Sequence, residues 1–198
     1  MAMKRKIEKI LAGYKKKEIS DESFRPSAVL MPLFYDKGSL HVLFTKRSDR
    51  VDFHKGQVCF PGGGPEPGDL SLLQTALREA EEEIGLKAKD VEILGELDDK
   101  LTHASGYVIS PFVAFIPYPY PFKLDRKEVE EIFSVPLSAL MDELNFSSNY
   151  YPTEDKSGPG YAYEYEGHIV WGATAKILRQ FTELLSKEGQ NHDAREIH

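Results

Sequence analysis

The stretch "GQVCFPGGGPEPGDLSLLQTALREAEEEIGL", Gly56–Leu86, restricts the folds open to this chain more than any other. Its triple glycine, Gly62–Gly64, lets backbone approach backbone or ligand with no Cβ in between. The turn feeds a helix predicted over Leu70–Ile84. Ser71 with Gln74 forms a capping box there, with Asp69 as a competing cap. Gly85 stops the helix. Leu73, Ala76, Leu77, Ala80 and Ile84 recur at three and four residues and form an apolar face that must be buried. Glu79, Glu82 and Glu83 fall at i, i+3 and i+4 and share another face, while Glu81 points away toward solvent. Like charges so placed cost the helix a few tenths of a kcal/mol per pair, roughly. Such a helix lies on a core with its apolar side and keeps its acidic side clear of that core, next to the glycine turn.

The acidic face has two readings. It is a solvated face in which Arg78 neutralises Glu82 at i+4. Alternatively, its oxygen-only donors hold a hard divalent cation, Mg²⁺ or Mn²⁺. The adjoining glycine turn favours the cation. A net charge of −7 argues against a general nucleic-acid binder, which needs a basic surface. A bound cation can still reverse the local field for a small anionic substrate. Cys59 is the sole cysteine, so no intrachain disulfide forms and a reducing, cytoplasmic location is expected. As a buried small residue in a strand, it is not read as a nucleophile. The apolar run Tyr107–Phe122 is broken by Pro111, Pro117, Pro119 and Pro121, so no membrane span is expected. The opening "MAMKRKIEKILAGYKKK" lacks a signal-peptide core. Its Ile7, Ile10, Leu11 and Tyr14 form an amphipathic stripe, read as a helix capping the domain rather than lying on a membrane. The sequence leaves a homodimer open.

Elsewhere, "SAVLMPLFY" and "LHVLFTKR" read as strands joined through "DKGS", and "GQVCF" as a third. "DVEILGEL" and "YVISPFVAFI" are further strands, and "EVEEIFSVPLSALMDEL" is a strand turning at Pro136 into a short helix. "FSSNYYPTEDKSGPGYAYEYEG" suggests a hairpin around a polar loop. Trp171–Lys187 is a final amphipathic helix. Mixed strands with a central and a terminal helix predict an α/β sandwich, helices on both faces of the sheet. The expected organisation is a helical extension over 1–24, a domain over 25–188 and a disordered tail over 189–198.

"REAEEEIGL", Arg78–Leu86, resembles the second half of the Nudix hydrolase signature, G-x5-E-x7-R-E-U-x-E-E-x-G-U. In the first half, Leu70 stands where the glutamate belongs, and Asp69 is one position further off. A longer spacer with an aspartate resembles the coenzyme A pyrophosphatase branch. That branch carries L-L-T-x-R-[SA]-x3-R-x3-G-x3-F-P-G-G, and Leu43–Gly63 reads "LFTKRSDRVDFHKGQVCFPGG". Phe44 replaces a leucine, and Asp52 stands at the second arginine, where Arg50, His54 or Lys55 are the available substitutes. "LTHASGYVISPFVAF", "EVEEIFSVPLSAL" and "HIVWGATAKIL" are similar to later family segments, so the resemblance spans Arg25 to Leu185.

The resemblance implies a Nudix-type α/β/α sandwich with a mixed β-sheet and metal-dependent hydrolysis of a nucleoside diphosphate derivative. On the branch reading, coenzyme A or acyl-coenzyme A is cut at its diphosphate. The alternatives are ADP-ribose, dinucleoside polyphosphates or capped nucleotides, or a non-catalytic nucleotide-binding module. It implies Glu79 and Glu83 as metal ligands, with Glu82 as third ligand or base. Arg78 holds a glutamate in place, and Gly62 and Gly63 offer backbone to metal or diphosphate. Arg47 contacts substrate. A further glutamate from a later loop is expected, with Glu128 the candidate, Glu96 the alternative, and an exposed charge before a strand an equal reading of Glu128. Ser105 and His103 lie in the "THASGY" turn, where a turn role and a substrate contact are both open.

Overall fold

The computed structural model describes residues 2–50, 55–102, 105–150 and 160–193. In chain order these form α1 (Ala2–Gly13), β1 (Arg25–Asp36), β2 (Ser39–Arg47), β3 (Val58–Cys59), β4 (Gly62–Gly63), α2 (Leu72–Ile84), β5 (Glu92–Glu96), β6 (Lys100–Thr102), β7 (Tyr107–Phe115), β8 (Val129–Pro136), α3 (Leu137–Leu140), β9 (Phe146–Ser147), β10 (Ala162–Tyr165), β11 (His168–Trp171) and α4 (Gly172–Asp193).

β1 is the centre. Its apolar run pairs in parallel with β7, Arg25–Leu33 against Tyr107–Phe115, and antiparallel with β2 through Leu33–Val42 and onward. The remaining pairings of that sheet are antiparallel, so it is mixed. A run without polar alternation suits a strand covered on both faces. Ala28, Leu30 and Phe34 pack with Ala76, Ala80 and Ile84 of α2 on one side. Met31 and Leu33 pack with Ile7, Ile10 and Leu11 of α1 and Ile177, Leu178 and Phe181 of α4 on the other. The expected α/β/α sandwich is the observed architecture. β9, β10 and β11 form a separate antiparallel sheet in which β10 and β11 make a tight hairpin. β4, β6 and β9 are too short to leave a periodic signal in the sequence.

Two boundaries fall differently. α4 continues to Asp193, so the expected tail from 189 begins inside a helix; Lys187, Glu188 and Gln190 are good helix formers that propagate it. α1, expected as an extension, shares the main core. Ile7 is fully buried, and a Cβ on Gly95 would lie 2.6 Å from the Cβ of Leu11, so β5 admits the helix only because position 95 has no side chain. Lys16 bridges to Glu96 at 2.7 Å, and the hydroxyl of Tyr14 donates to Asp98 at 2.7 Å, tying the following segment to β5 and β6. Among the described residues, no helix is long and apolar enough to cross a membrane.

Replacing Ile7 with alanine should therefore cost about 2–5 kcal/mol of unfolding free energy, as for other buried aliphatic truncations. Urea denaturation of Ile7→Ala against wild type measures this, and a loss within the range of a surface substitution would show that α1 is peripheral.

Candidate active site

Val58–Gly63 forms the floor of the site. It fills the space where β1 and β2 stop pairing with each other: Thr45 and Lys46 pair with Cys59 and Val58, and Ala28 and Val29 pair with Gly63 and Gly62. The N–H of Leu30 donates to the Pro61 carbonyl at 2.9 Å. A Cβ on Gly62 would strike the carbonyl oxygen of Ala28 and lie 2.7 Å from Val29 Cα. A Cβ on Gly63 would strike the carboxylate of Glu79. Both glycines are needed for close approach, one to backbone and one to an acid.

α2 stands on this floor. Its first turn is closed by the Ser71 hydroxyl, which accepts from the Gln74 N–H at 3.2 Å, while Gln74 reaches back to the Leu70 N–H at 2.7 Å. Gly85 ends it at φ 72°, in the left-handed region glycine favours. Two carbonyls of the last turn are then capped from a distance: Lys123 N–H donates to Ile84 and Asp125 N–H to Glu83, both at 2.9 Å. The Asp125 carbonyl accepts from Glu128 and Val129, and the Ser48 N–H donates to the Glu128 carbonyl at 2.8 Å. The end of α2 thus places Glu128 where β8 begins.

Arg78 organises the acidic face. Its Nη1 lies 2.9 Å from Glu79 Oε1 and 2.9 Å from Glu82 Oε2. Its Nη2 donates to the Gly64 carbonyl at 2.9 Å and to Asp69 Oδ2 at 3.1 Å, and its Nε to Asp69 Oδ1 at 3.2 Å. Asp69 is itself fixed by the Thr75 hydroxyl and the Glu66 N–H. The Arg78 bond, with those donors, pulls the Asp69 carboxyl down to about 2. Asp69 is therefore the anchor of Arg78, and Ser71 is the cap. Glu81 points elsewhere and pairs with Lys87 at 2.7 Å, and the Glu82 side chain is 58% exposed. An open cleft of about 520 Å³, lined by Glu81, Glu82, Lys87, Tyr120, Lys123 and Asp125 among others, gives solvent access beside Glu82.

Glu83 departs from the expectation that the acidic face stays clear of the core. Only 3% of it is exposed. α2 is rolled so that Thr75, Ala76, Ala80, Glu83 and Ile84 are inward, while Leu73 and Leu77 are partly buried. The Gly62 backbone hydrogen-bonds to the Glu83 carboxylate. Burial raises the Glu83 carboxyl to about 8; Arg47 and the Gly62 backbone oppose the rise, and the charges of Glu79 and Glu128 add to it. Glu79 is raised chiefly by burial, with Arg78 opposing and Glu82 and Glu128 adding. Glu128 is an exposed charge just ahead of β8 that adds to the rise at both carboxylates, whereas Glu96 lies on β5 in its pair with Lys16. Cys59 is half-buried rather than fully buried as expected, and desolvation of its thiol raises it to about 11, which keeps it protonated.

Arg47 Nη1 stands 4.0 Å from Glu83 Oε1. Ser105 is not part of this group. Its hydroxyl donates to Thr102 at 2.9 Å, and its carbonyl faces Arg25, which opens the β1–β7 pairing ~10 Å along the strand from Ala28. Asp52, His54 and His103 lie outside the described residues, and Arg50 and Lys55 are exposed.

Among the described residues, no three acids, histidines or cysteines are gathered into a finished metal cage. The donor set nonetheless fits a hard divalent ion. The carboxylates are clustered, all donors are oxygen, and the buried Oε2 of Glu83 has no hydrogen-bond partner. Such an atom costs about 1–3 kcal/mol, and more for a charged group, unless a ligand supplies the partner.

Residues 24–155 match the NUDIX domain, two thirds of the chain. A protein of Photorhabdus laumondii described as "Uncharacterized Nudix hydrolase NudL" is 39% identical over 170 residues, 84% of this chain and 88% of its own. The chain belongs to the Nudix hydrolase family. It is an enzyme of the pyrophosphatase kind. A NudL of Yersinia pestis (strain Pestoides F) is 38% identical over 162 residues, covering 82% of this chain and 80% of its own. Among solved structures, the MutT protein from Methanosarcina mazei Go1 shares the fold at TM-score 0.52 and 19% identity, covering 89% of this chain and 99% of that one. A MutT/nudix family protein from Enterococcus faecalis does so at TM-score 0.55 and 16% identity, covering 85% and 64%. In this Nudix hydrolase the signature's arginine is Arg78, and its grip on Asp69 shows how an aspartate one residue removed serves the signature helix.

The burial of Glu83 sets a pH dependence. Its folded-state value, about 8, lies above an unfolded value near 4.3. Between the two, the folded chain holds the extra proton, so metal-free stability falls as pH rises from about 4 to about 8. Glu83→Gln should flatten that slope in urea titrations carried out with chelator present. An unchanged slope would place the buried charge elsewhere.

Proposed function

We propose that this Nudix hydrolase cleaves the diphosphate of coenzyme A or acyl-coenzyme A with Mg²⁺ or Mn²⁺, releasing adenosine 3′,5′-bisphosphate and (acyl-)phosphopantetheine. The observation that carries this reading is the course of Leu43–Gly63, the stretch similar to the branch signature. It supplies both Arg47, beside the buried Glu83, and the glycine floor under Glu79. A sequence pattern that makes the floor of the site is better placed to set substrate choice than one on the periphery.

Glu79 and Glu83 would hold the cation, with Glu82 as third ligand or as base. When bound, the cation neutralises diphosphate charge and acidifies a water. Arg78 positions rather than binds, since its donors are spent on Asp69, Glu79, Glu82 and the Gly64 carbonyl. Glu128, exposed at the head of β8, would be the further glutamate, able to take a proton from water. Gly62 and Gly63 present backbone to the metal or the diphosphate. Ser105 serves its turn. The single cysteine supports work in the reducing cytoplasm.

A panel of coenzyme A, ADP-ribose and a dinucleoside tetraphosphate, with product masses read out, tests this. Coenzyme A should give the highest kcat/KM, and EDTA should abolish activity. Glu83→Gln should lose on the order of a hundredfold or more in kcat, as displaced or missing catalytic groups do, while Glu81→Gln stays near wild type. Good turnover of ADP-ribose with none of coenzyme A would leave the family and remove the substrate.

A further inference from the structure

Among the described residues, two buried side-chain polar atoms have no hydrogen-bond partner, Arg47 Nε and Glu83 Oε2, and they belong to one ion pair. The pair touches only as Nη1 to Oε1 at 4.0 Å, too long for a hydrogen bond. A guanidinium donates only and a carboxylate accepts only, so a bond between the two orphans would satisfy both. The chain leaves that bond unmade. The unmet demands differ in sign: Nε needs an anion, and Oε2 needs a cation.

Arg78 is the contrast. Its guanidinium is bound to Asp69, Glu79, Glu82 and the Gly64 carbonyl and cannot leave without breaking them all. Arg47 has no such clamp among the described residues: its side chain meets the Glu83 carboxylate and the Cys59 thiol, a weak acceptor. The Arg47 N–H donates to Gln57, its carbonyl accepts from Gly56, and the β2–β8 register shifts between Lys46 and Arg47, where a bulge re-aims the side chain. The Arg47 side chain is 26% exposed against 4% for Glu83, so the arginine has a way out and the glutamate does not.

We infer that Arg47 is a displaceable counter-ion: it neutralises Glu83 until a divalent cation arrives, and is then released to bind the substrate's diphosphate. The inference rests on Glu83 being a metal ligand. The cation and the guanidinium repel each other at one carboxylate, so the cation drives the arginine outward. There its planar donors match phosphate oxygens. Metal binding and diphosphate binding are thereby coupled, and each strengthens the other.

Calorimetric titration of Mn²⁺ into substrate-free wild type, Arg47→Gln and Glu83→Gln tests this, with methylenediphosphonate as the diphosphate probe at saturating Mg²⁺. Arg47→Gln should bind Mn²⁺ more tightly, on the order of tenfold, as expected when a competing charge leaves a carboxylate. It should bind the diphosphonate more weakly by a similar factor. In wild type followed by NMR, Mg²⁺ alone should hasten solvent exchange of the Arg47 Nε proton, a readout that needs no variant to fold. Unchanged or weaker Mn²⁺ binding by Arg47→Gln, or an Nε proton that stays protected with Mg²⁺, overturns the counter-ion role while leaving the metal site intact. Mn²⁺ binding to wild type no tighter than to Glu83→Gln overturns the metal reading, and the counter-ion role falls with it.

Discussion

The insertion of Val58–Gly63 between β1 and β2 is the constraint on which the site depends. Sheet strands that part leave backbone groups unpaired, and buried unpaired groups are costly. This segment satisfies them from both sides, through Thr45 and Lys46 on β2 and Ala28 and Val29 on β1. Gly62 fits against the Ala28 carbonyl only without a side chain, and Gly63 leaves the volume that the Glu79 carboxylate enters. A floor of bare backbone allows a helix bearing carboxylates to settle on a sheet whose packing against that helix is otherwise largely apolar.

That arrangement concentrates negative charge where water is scarce. Glu79 and Glu83 are both pushed toward protonation by burial, with Glu79 adding to the rise at Glu83 and Glu128 adding at both. Two arginines counter this in different ways. Arg78 is built in, clamped by Asp69 and spread over Glu79, Glu82 and the Gly64 carbonyl. Arg47 stands near Glu83 without bonding to it. Stability and function pull apart here, since a saturated Glu83 would steady the fold and have nothing left for a cation.

Much of the frame was legible in the residues. The apolar run of β1, the spacing of Ala76, Ala80 and Ile84, the Ser71 cap and the Gly85 stop are local signals, and the structure uses each of them. That Glu81 points away from the other acids follows from helical spacing alone, while its partner Lys87 lies past the Gly85 stop. Less legible were β4 and β6, whose two and three residues carry no period. The length of α4 was also hidden, because a polar end with good helix propensity reads as a loose tail. The burial of Glu83 is not legible locally, because three carboxylates at helical spacing read as an open face. Its place seven residues after Ala76 and three after Ala80 nonetheless puts it beside the inward side.

The sequence by itself determined which residues meet on α2, where that helix starts and stops, and that a glycine turn precedes it, because capping, periodicity and backbone freedom act within a few residues. It also determined the family, since two adjoining motifs at fixed spacing are both local patterns. The tertiary structure alone decided that Glu83 is buried, that Arg47 stands beside it and that Asp69 anchors Arg78. Those outcomes depend on burial and on charges brought together by strands and loops far apart in the chain. The cost of removing a carboxylate from water has no value until the fold has fixed what surrounds it.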